Sequence, residues 1–84
     1  MVKRDGAETR RERITEIARF IQAAFQKKKE AGESEELSLS KLVSTMMFLK
    51  GLTKDTVMEY LEVIQGMEQI EVDVVNDKVR RLQV

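Results

Sequence analysis

Apolar residues recur three and four positions apart along the first third of the chain. The members of this stripe are Ile14, Ile17, Ala18, Ile21, Ala24 and Phe25. The spacing places them on one face of an amphipathic helix. Thr9 and Glu12 form a capping-box pattern, in which each side chain bonds a free N–H at the helix start. The pattern therefore predicts a helix over residues 9–30 that ends before Gly32, preceded by a flexible arm at residues 1–8.

The middle of the chain predicts a short strand and a second helix. Residues 37–39 alternate between apolar and polar side chains, which is typical of a strand. A broad apolar face follows, formed by Leu42, Val43, Met46, Met47 and Leu49. We expect Ser38 or Ser40 to cap a helix over residues 40–50. Gly51 is expected to end that helix, because glycine readily adopts the left-handed conformation.

A third helix is predicted over residues 53–66. Its apolar face consists of Val57, Tyr60, Leu61 and Ile64, which recur at helical spacing. Thr53 stands at the N-cap position, and Asp55 lies in the first turn, where a carboxylate meets the positive helix end. Because only Gly51 and Leu52 separate this cap from the preceding helix, the two helices should form a tight helix-turn-helix.

The end of the chain predicts a β-hairpin. Residues 69–75 alternate between polar and apolar side chains, residues 76–77 mark a turn, and residues 78–83 return as a second strand. A two-stranded hairpin is marginally stable by itself. We therefore expect it to pack on the helices and to take residues 37–39 as a third strand.

Composition limits the classes of function. The 84 residues predict one domain, spanning 1–84, and they contain no cysteine and no histidine. The commonest metal ligands and the commonest general base are thus missing. No Gly-rich phosphate loop or convincing acid pair is visible, so we expect no enzyme, catalytic residue, metal, cofactor or small-molecule substrate. No membrane-length apolar run or signal peptide appears, so a soluble, cytoplasmic protein without a membrane partner is expected.

Charge is unevenly distributed along the chain. The net charge is zero, but residues 1–31 carry nine Lys/Arg against five Asp/Glu, and residues 32–84 carry six against ten. The basic half could contact phosphates or pair with the acidic part of a second copy. Glu33, Glu35 and Glu36 cluster in the loop after the first helix, and we interpret them as a solvated charged loop rather than a cation site.

The order helix, short strand, helix, turn, helix and hairpin resembles the winged helix-turn-helix domain. Gly51-Leu52-Thr53 is similar to the family's Gly-hydrophobic-Ser/Thr turn. The family's buried recognition-helix positions match Thr56, Val57, Leu61 and Ile64, and the start of its wing strand matches Ile70, Glu71 and Val72. The resemblance covers residues 9–82 and is closest to small archaeal winged-helix DNA-binding proteins. It implies a mainly α fold with a small antiparallel β wing, an α+β class, although the wing is short.

The resemblance implies a DNA-binding protein, either a transcriptional regulator or a chromatin-associated protein. Its partner would be double-stranded DNA, and a homodimer is expected. The third helix would then read bases in the major groove. The residues that the resemblance and their charge assign to DNA contact are Lys54, Thr56 and Met58 on that helix, Lys78, Arg80 and Arg81 on the wing, and Arg10, Arg11 and Arg13 on the first helix.

The outer face of the third helix favours a different hypothesis. At about 100° per residue, Asp55, Glu59 and Glu62 form a ridge opposite Val57. Three carboxylates are poorly suited to a helix that lies between rows of phosphates. The alternative is a protein-interaction module, a subunit or adaptor whose acidic ridge meets a basic protein surface. In its homotypic form, the first helix would pair with that of a second copy. The resemblance favours DNA, and the charge pattern favours protein.

Overall fold

Within residues 6–82, three helices and a three-stranded antiparallel sheet form the fold, so the predicted α+β class is confirmed. The computed structural model describes the backbone of residues 6–82 and the side chains of residues 9–82. The elements are α1 (Gly6–Glu30), β1 (Glu36–Ser38), α2 (Leu39–Lys50), α3 (Lys54–Gly66), β2 (Ile70–Asp73) and β3 (Lys78–Arg81). This order matches the expected alternation of helices and strands.

The start of α1 differs from the prediction. The helix begins at Gly6, so Thr9 lies inside it and is not its N-cap. The capping-box pattern misled because Ala7 and Glu8 are themselves good helix formers and extend the helix toward the N terminus. Residues 6–8 of the expected arm are therefore helical, and residues 1–5 lie outside the described residues. The helix ends at the predicted place, with Gly32 in the left-handed conformation at φ 74°.

The turn between α2 and α3 follows its local sequence signals. Ser38 is the N-cap of α2, and its hydroxyl accepts a hydrogen bond from the Lys41 N–H. Gly51 ends α2 at φ 65°, a conformation that costs a residue with a side chain more. Thr53 caps α3 by accepting from the Thr56 N–H at 3.2 Å. The predicted capping by Ser38, Gly51 and Thr53 is confirmed, although α2 begins at Leu39, one residue early.

The sheet has the strand order β1-β3-β2, so β3 is the central strand. Leu37 and Val72 both lie opposite Val79, and all three point toward the helices. β2 is shorter than the predicted 69–75, because residues 74–77 form the turn that follows it. β3 begins at residue 78 as predicted and ends at Arg81, and residue 83 of the predicted strand lies outside the described residues. β1 spans 36–38 rather than 37–39, because Leu39 is already helical.

The hydrophobic core joins all three helices and the sheet. Its fully enclosed side chains are Ile17, Ile21, Phe25, Met46, Val57, Leu61, Ile64, Ile70 and Val79. No polar or charged side chain is buried among the described residues. Every charge in this part of the chain therefore lies at a surface, and the question of function becomes a question about surfaces.

Candidate functional site

One face of the sheet carries an alternating set of charges. In the antiparallel register Glu36 and Glu71 both lie opposite Arg80, while Asp73 lies opposite Lys78. Residues directly opposite one another project to the same side of a sheet. We call these five residues the charged sheet face. The helices cover the other face of the sheet through its apolar residues.

The basic residues of the charged sheet face are paired with carboxylates of the same chain. Arg80 donates through Nε to Glu36 Oε2 at 2.8 Å and through Nη1 to Asp73 Oδ2 at 3.3 Å. Lys78 Nζ donates to Glu36 Oε1 at 3.4 Å. The bond from Arg80 holds the pKa of the Glu36 carboxyl below its usual value, and the same bond raises the pKa of Arg80. The two residues predicted to hold phosphates thus already have anionic partners.

Arg81, the third predicted wing contact, is paired as well. Its Nη1 donates to Glu35 Oε1 at 3.1 Å. The interpretation of the three glutamates as a solvated loop holds for Glu33, which is exposed, and is wrong for Glu35 and Glu36, which are partly buried and paired with arginines of β3. Glu36 lies on β1 and Glu35 immediately before it, and Glu33 forms a 3.5 Å ion pair with Lys28. The contacts of Glu35 and Glu36 need β1 to lie beside β3. The sequence predicted that residues 37–39 join the hairpin as a third strand, but the register that pairs these charges was not predicted.

The three predicted base-contact residues of α3 differ in their surroundings. Lys54 is exposed at the first position of α3, with no ion pair to any residue in the described range. Thr56 is half-buried, and its hydroxyl accepts a 2.9 Å hydrogen bond from the hydroxyl of Thr53. Met58 is half-buried and packs against the core. Of these three side chains, Lys54 is the one fully available to a partner.

Arg10 links α1 to the outer face of α3. Its Nη2 donates to Glu59 Oε1 at 2.5 Å, and its guanidinium carbon lies 5.8 Å from the centre of the Tyr60 ring. A cation over an aromatic face is attracted by the ring quadrupole. Arg10 therefore packs on α3 and neutralises Glu59, one of the three ridge acids. Asp55 and Glu62 stay exposed, without an ion pair to another described residue.

Arg11 and Arg13 are the predicted contact residues that remain uncommitted on α1. Both side chains are exposed. Neither forms an ion pair within residues 9–82. Because they lie two positions apart on a helix, they point about 200° apart around its axis and cannot contact the same small ligand side by side.

A groove of about 940 Å³ lies between α1 and α3. Its lining residues are Arg10, Arg11, Ile14, Thr15, Ala18, Arg19 and Gln22 from α1, Val63 from α3, and Met67 and Gln69 beyond it. Ile14, Ala18, Val63 and Met67 form its apolar floor, and we call it the α1–α3 groove. Met67 is 50% exposed and Val63 36%. The lining contains three arginines and no carboxylate.

Sequence reasoning did not single out the α1–α3 groove. Ile14 and Ala18 belong to the apolar stripe of α1, which the homotypic form of the alternative hypothesis shares between the core and an interface with a second copy. Val63 lies about 120° from Val57 around α3, between the buried face and the acidic ridge. An apolar residue at this position, outside the buried face of α3, was the one sequence feature that could have indicated an exposed apolar surface. The groove exists because α1 packs on α3 without covering this edge, which depends on how the two helices cross.

Asp77 holds the hairpin turn against the start of α2. Its carboxylate accepts from the Ser40 N–H at 2.9 Å, from the Ser40 hydroxyl at 2.6 Å and from the Ser38 hydroxyl at 3.0 Å. Its backbone carbonyl accepts from the Leu39 N–H at 3.0 Å. The bonds from Ser40 hold the pKa of Asp77 below its usual value. Asp77 therefore has a structural role, although the sequence indicated a turn residue alone.

Comparison with models of known protein families, with curated proteins and with solved structures finds no match to this chain. Within residues 6–82, none of the helices combines the length and the apolar character needed to cross a membrane. Function must therefore be inferred from the charged sheet face, the outer face of α3 and the α1–α3 groove.

Proposed function

We propose that this domain is a winged helix-turn-helix module that binds another protein through the α1–α3 groove. The element order, the tight Gly51 turn and the antiparallel hairpin support the winged-helix assignment. In this arrangement α3 corresponds to the recognition helix and β2–β3 to the wing. The proposed fold is the winged helix that the resemblance implies, but the proposed partner is a protein instead of DNA.

The observation that carries the proposal is the apolar floor of the α1–α3 groove. Val63 and Met67 are large apolar residues that remain substantially exposed, and they adjoin Ile14 and Ala18 across the groove. Contiguous apolar surface with a polar rim is typical of protein-binding sites. Covering it with an apolar partner surface would remove this area from water, which is the main driving force of protein association.

The charged sheet face supports protein binding, because its ion pairs make DNA binding less favourable. Affinity for DNA depends on cations that replace the counterions of the phosphates. Lys78, Arg80 and Arg81 would have to exchange carboxylate partners for phosphates, which offsets part of the electrostatic gain. Asp55 and Glu62 add uncompensated negative charge on the helix that would enter the groove of DNA.

Site-specific photo-crosslinking tests whether the groove binds protein. A benzophenone amino acid is placed at Met67 in the groove or, as the matched control, at Val75 in the hairpin turn, which is 93% exposed. We expect irradiation of cells that contain the chain to give a protein adduct from position 67 and none from position 75. Equal yields at both positions, or adducts from position 67 to DNA alone, would contradict the proposal.

DNA binding is the second candidate function. The observation that favours it is the set of uncommitted cations, Arg11, Arg13 and Lys54, together with the winged-helix arrangement. A transcriptional role would follow from it. On this hypothesis, a labelled duplex should bind at low salt, and affinity should fall steeply as salt rises. Replacing Arg11 and Arg13 together by alanine should reduce the salt dependence, whereas replacing Lys41 should not. Absence of binding at low salt would exclude this candidate.

A further inference from the structure

We propose that the occupant of the α1–α3 groove is an acidic amphipathic helix of another protein. Its apolar side contacts the floor of the groove, and its carboxylates pair with the arginines of α1. This inference rests on the proposed function, in which the groove binds protein. It adds the chemistry of the partner surface and the residues of this chain that recognise it.

The lining of the groove is basic, with three arginines and no carboxylate. One of the three, Arg10, already donates to Glu59. Arg11 and Arg19 are exposed and form no close ion pair with another residue of the described range. The charge of Arg19 acts on Glu16, but that carboxylate lies outside the lining and is paired with a lysine of α2. Two cations of the groove are therefore available to a partner.

A partner that covers these arginines must compensate their charge. Covering them removes water from the guanidinium groups, and a buried charge without a partner is costly. A carboxylate compensates it well, because one guanidinium can donate two parallel hydrogen bonds to it. A basic partner would add repulsion, and a neutral partner would leave the cost of desolvation uncompensated. The basic lining therefore favours an acidic partner surface.

The shape of the groove fits a helix that lies along α1. On α1 the lining extends from Arg11 to Gln22, which corresponds to about 16 Å or three helical turns. A second cavity of about 520 Å³ continues it, since Gln22, Met67 and Gln69 line both cavities. A helix of about 11 residues spans the first cavity alone. An elongated groove with an apolar floor is the kind of surface that binds an amphipathic helix.

The spacing of the lining residues indicates the pattern on the partner. Arg11 and Arg19 are eight positions apart, which is about 12 Å along α1. Acidic residues roughly seven or eight positions apart on a partner helix cover the same distance. Ile14 and Ala18, the floor residues of α1, lie between the two arginines. Apolar partner residues three and four positions apart would contact them.

Nucleic acid and a second copy of this chain are the other possible occupants. A phosphate backbone would pair with the arginines, but it offers no apolar surface to cover the exposed side chains of Val63 and Met67. A second copy would make occupation of the groove depend on the concentration of the chain itself. The experiments below distinguish both from an acidic helix.

Fluorescence anisotropy with a labelled synthetic peptide tests the inference. The probe is a stapled helix of about 14 residues, with leucine at helical spacing and glutamate at the other positions. We expect it to bind the purified chain, and binding should weaken as salt rises because exposed charges are screened. Two control peptides should bind about tenfold more weakly or not at all. One has lysine in place of every glutamate, and the other is acidic with its leucines scattered around the helix.

Variants of the chain locate the binding site. Replacing Arg11 and Arg19 together by alanine should weaken peptide binding about tenfold, and Met67→Ser should weaken it as well. Arg13→Ala is the matched control for charge, because Arg13 is exposed on the same helix but does not line the groove. Val75→Ser, at the exposed hairpin turn, is the control for loss of apolar surface. Circular dichroism melting establishes that each variant is folded.

Photo-crosslinking in cells identifies the natural occupant. Mass spectrometry of the digested adduct from position 67 gives the segment of the partner that lies in the groove. We expect an acidic segment with apolar residues at helical spacing. The adduct should diminish when Arg11 and Arg19 are replaced by alanine and persist in Arg13→Ala.

Several results would overturn the inference. They are an acidic peptide that does not bind, equal binding of the acidic and basic peptides, and binding unaffected by loss of Arg11 and Arg19. An adduct of position 67 with a basic protein segment, or with a second copy of this chain, would overturn the acidic partner while leaving the proposed function intact. An adduct with nucleic acid alone, or no adduct, would overturn both.

Discussion

The charged sheet face and the α1–α3 groove are two surfaces of the same small domain. They differ in whether their basic side chains are paired with carboxylates of the same chain. On the sheet face, Arg80 is shared between Glu36 and Asp73, and Lys78 also reaches Glu36. In the groove, Arg11 and Arg19 form no close ion pair in the described part of the chain, although the charge of Arg19 acts on Glu16, and apolar side chains are exposed. The cations of the sheet face are paired within the chain, whereas two of the three arginines of the groove are not.

The difference arises from how each surface is assembled. Antiparallel pairing fixes which residues stand opposite each other, so alternate positions on three strands bring acids and bases within reach. Two helices packed side by side leave their outer flanks apart, and only a long side chain such as Arg10 spans the gap to reach Glu59. A count of charges in the sequence does not distinguish basic residues that are paired within the chain from basic residues that are not. Their geometry shows that the exposed cations without an ion pair to a described residue lie on α1, at Lys41 of α2 and at the start of α3.

The largest predicted effect is on the free energy of unfolding, and it comes from replacing a core residue of α1 rather than a residue of the groove floor. Ile17 is fully buried, and Ile17→Ala should cost about 2–5 kcal/mol of unfolding free energy because it leaves a cavity. Ile14 lies in the groove floor and is half-buried, so Ile14→Ala should cost less than half as much. Chemical denaturation of both variants measures the difference. Equal costs would show that the groove floor is part of the closed core.

The next largest effect should come from acid, which protonates the paired and hydrogen-bonded carboxylates of the sheet face and the turn. The pKa of Glu36 is lowered by Arg80, that of Asp73 by Asn76 and that of Asp77 by Ser40. A lowered pKa means that the folded chain binds fewer protons, so this stabilisation is complete above the ordinary values of 4.5 and 3.8. It is lost as pH falls through the folded values.

Thermal melting between neutral and strongly acidic pH measures this dependence. Tm should stay constant down to about pH 5 and then fall. Glu36→Gln should make the acid-induced fall smaller, because one of the coupled carboxylates is gone. Glu71→Gln is the matched control, since Glu71 lies on the same face without an ion pair to a described residue. An identical acid response in wild type and Glu36→Gln would show that the Arg80–Glu36 pair does not stabilise the fold.

Loss of the Asp77 contact should have a moderate effect. Asp77→Ala removes the acceptor for the Ser40 N–H and places alanine at φ 55°, where a side chain is strained. We expect Tm to fall by roughly 4–8 °C. Asp77→Asn keeps an acceptor oxygen and tolerates this conformation, so its Tm should fall less. Equal Tm values for Asp77→Ala and wild type would show that the turn does not anchor α2.

The smallest effect should come from the Arg10–Glu59 pair, which is about half exposed. A double-mutant cycle with alanine at both positions should give a coupling of about 0.2–1 kcal/mol that diminishes at high salt. The cycle between Arg11 and Glu59 is the control and should show no coupling. A coupling unaffected by salt would indicate that the contact is packing against Tyr60 rather than charge.

Local signals predicted much of the fold. The caps at Ser38 and Thr53 and the left-handed glycine at 51 depend on residues within one turn of chain, so sequence spacing reveals them. The start of α1 was predicted wrongly because the Thr9 pattern and a continuing helix are both locally acceptable. The hairpin was predicted in order, but its first strand is shorter because the turn begins at residue 74.

The candidate sites were less accessible to sequence reasoning. The pairing of Arg81 with Glu35 joins residues 46 positions apart, and that of Arg80 with Glu36 joins residues 44 apart. Asp77 reaches Ser40 across 37 positions. Nothing in the local pattern distinguishes a glutamate destined for a cross-strand pair from one in a solvated loop. The nine residues assigned to DNA contact were chosen by charge and resemblance, and that role remains a prediction.

The sequence by itself determined the kind and order of the elements, because hydrophobic periodicity and capping act over a few residues. The tertiary structure decided which charges are satisfied and which apolar residues stay open. Those outcomes depend on strand register and on the crossing of α1 over α3, which the chain as a whole sets through its core. For this protein, the surfaces that bear on function are those that only long-range packing could define.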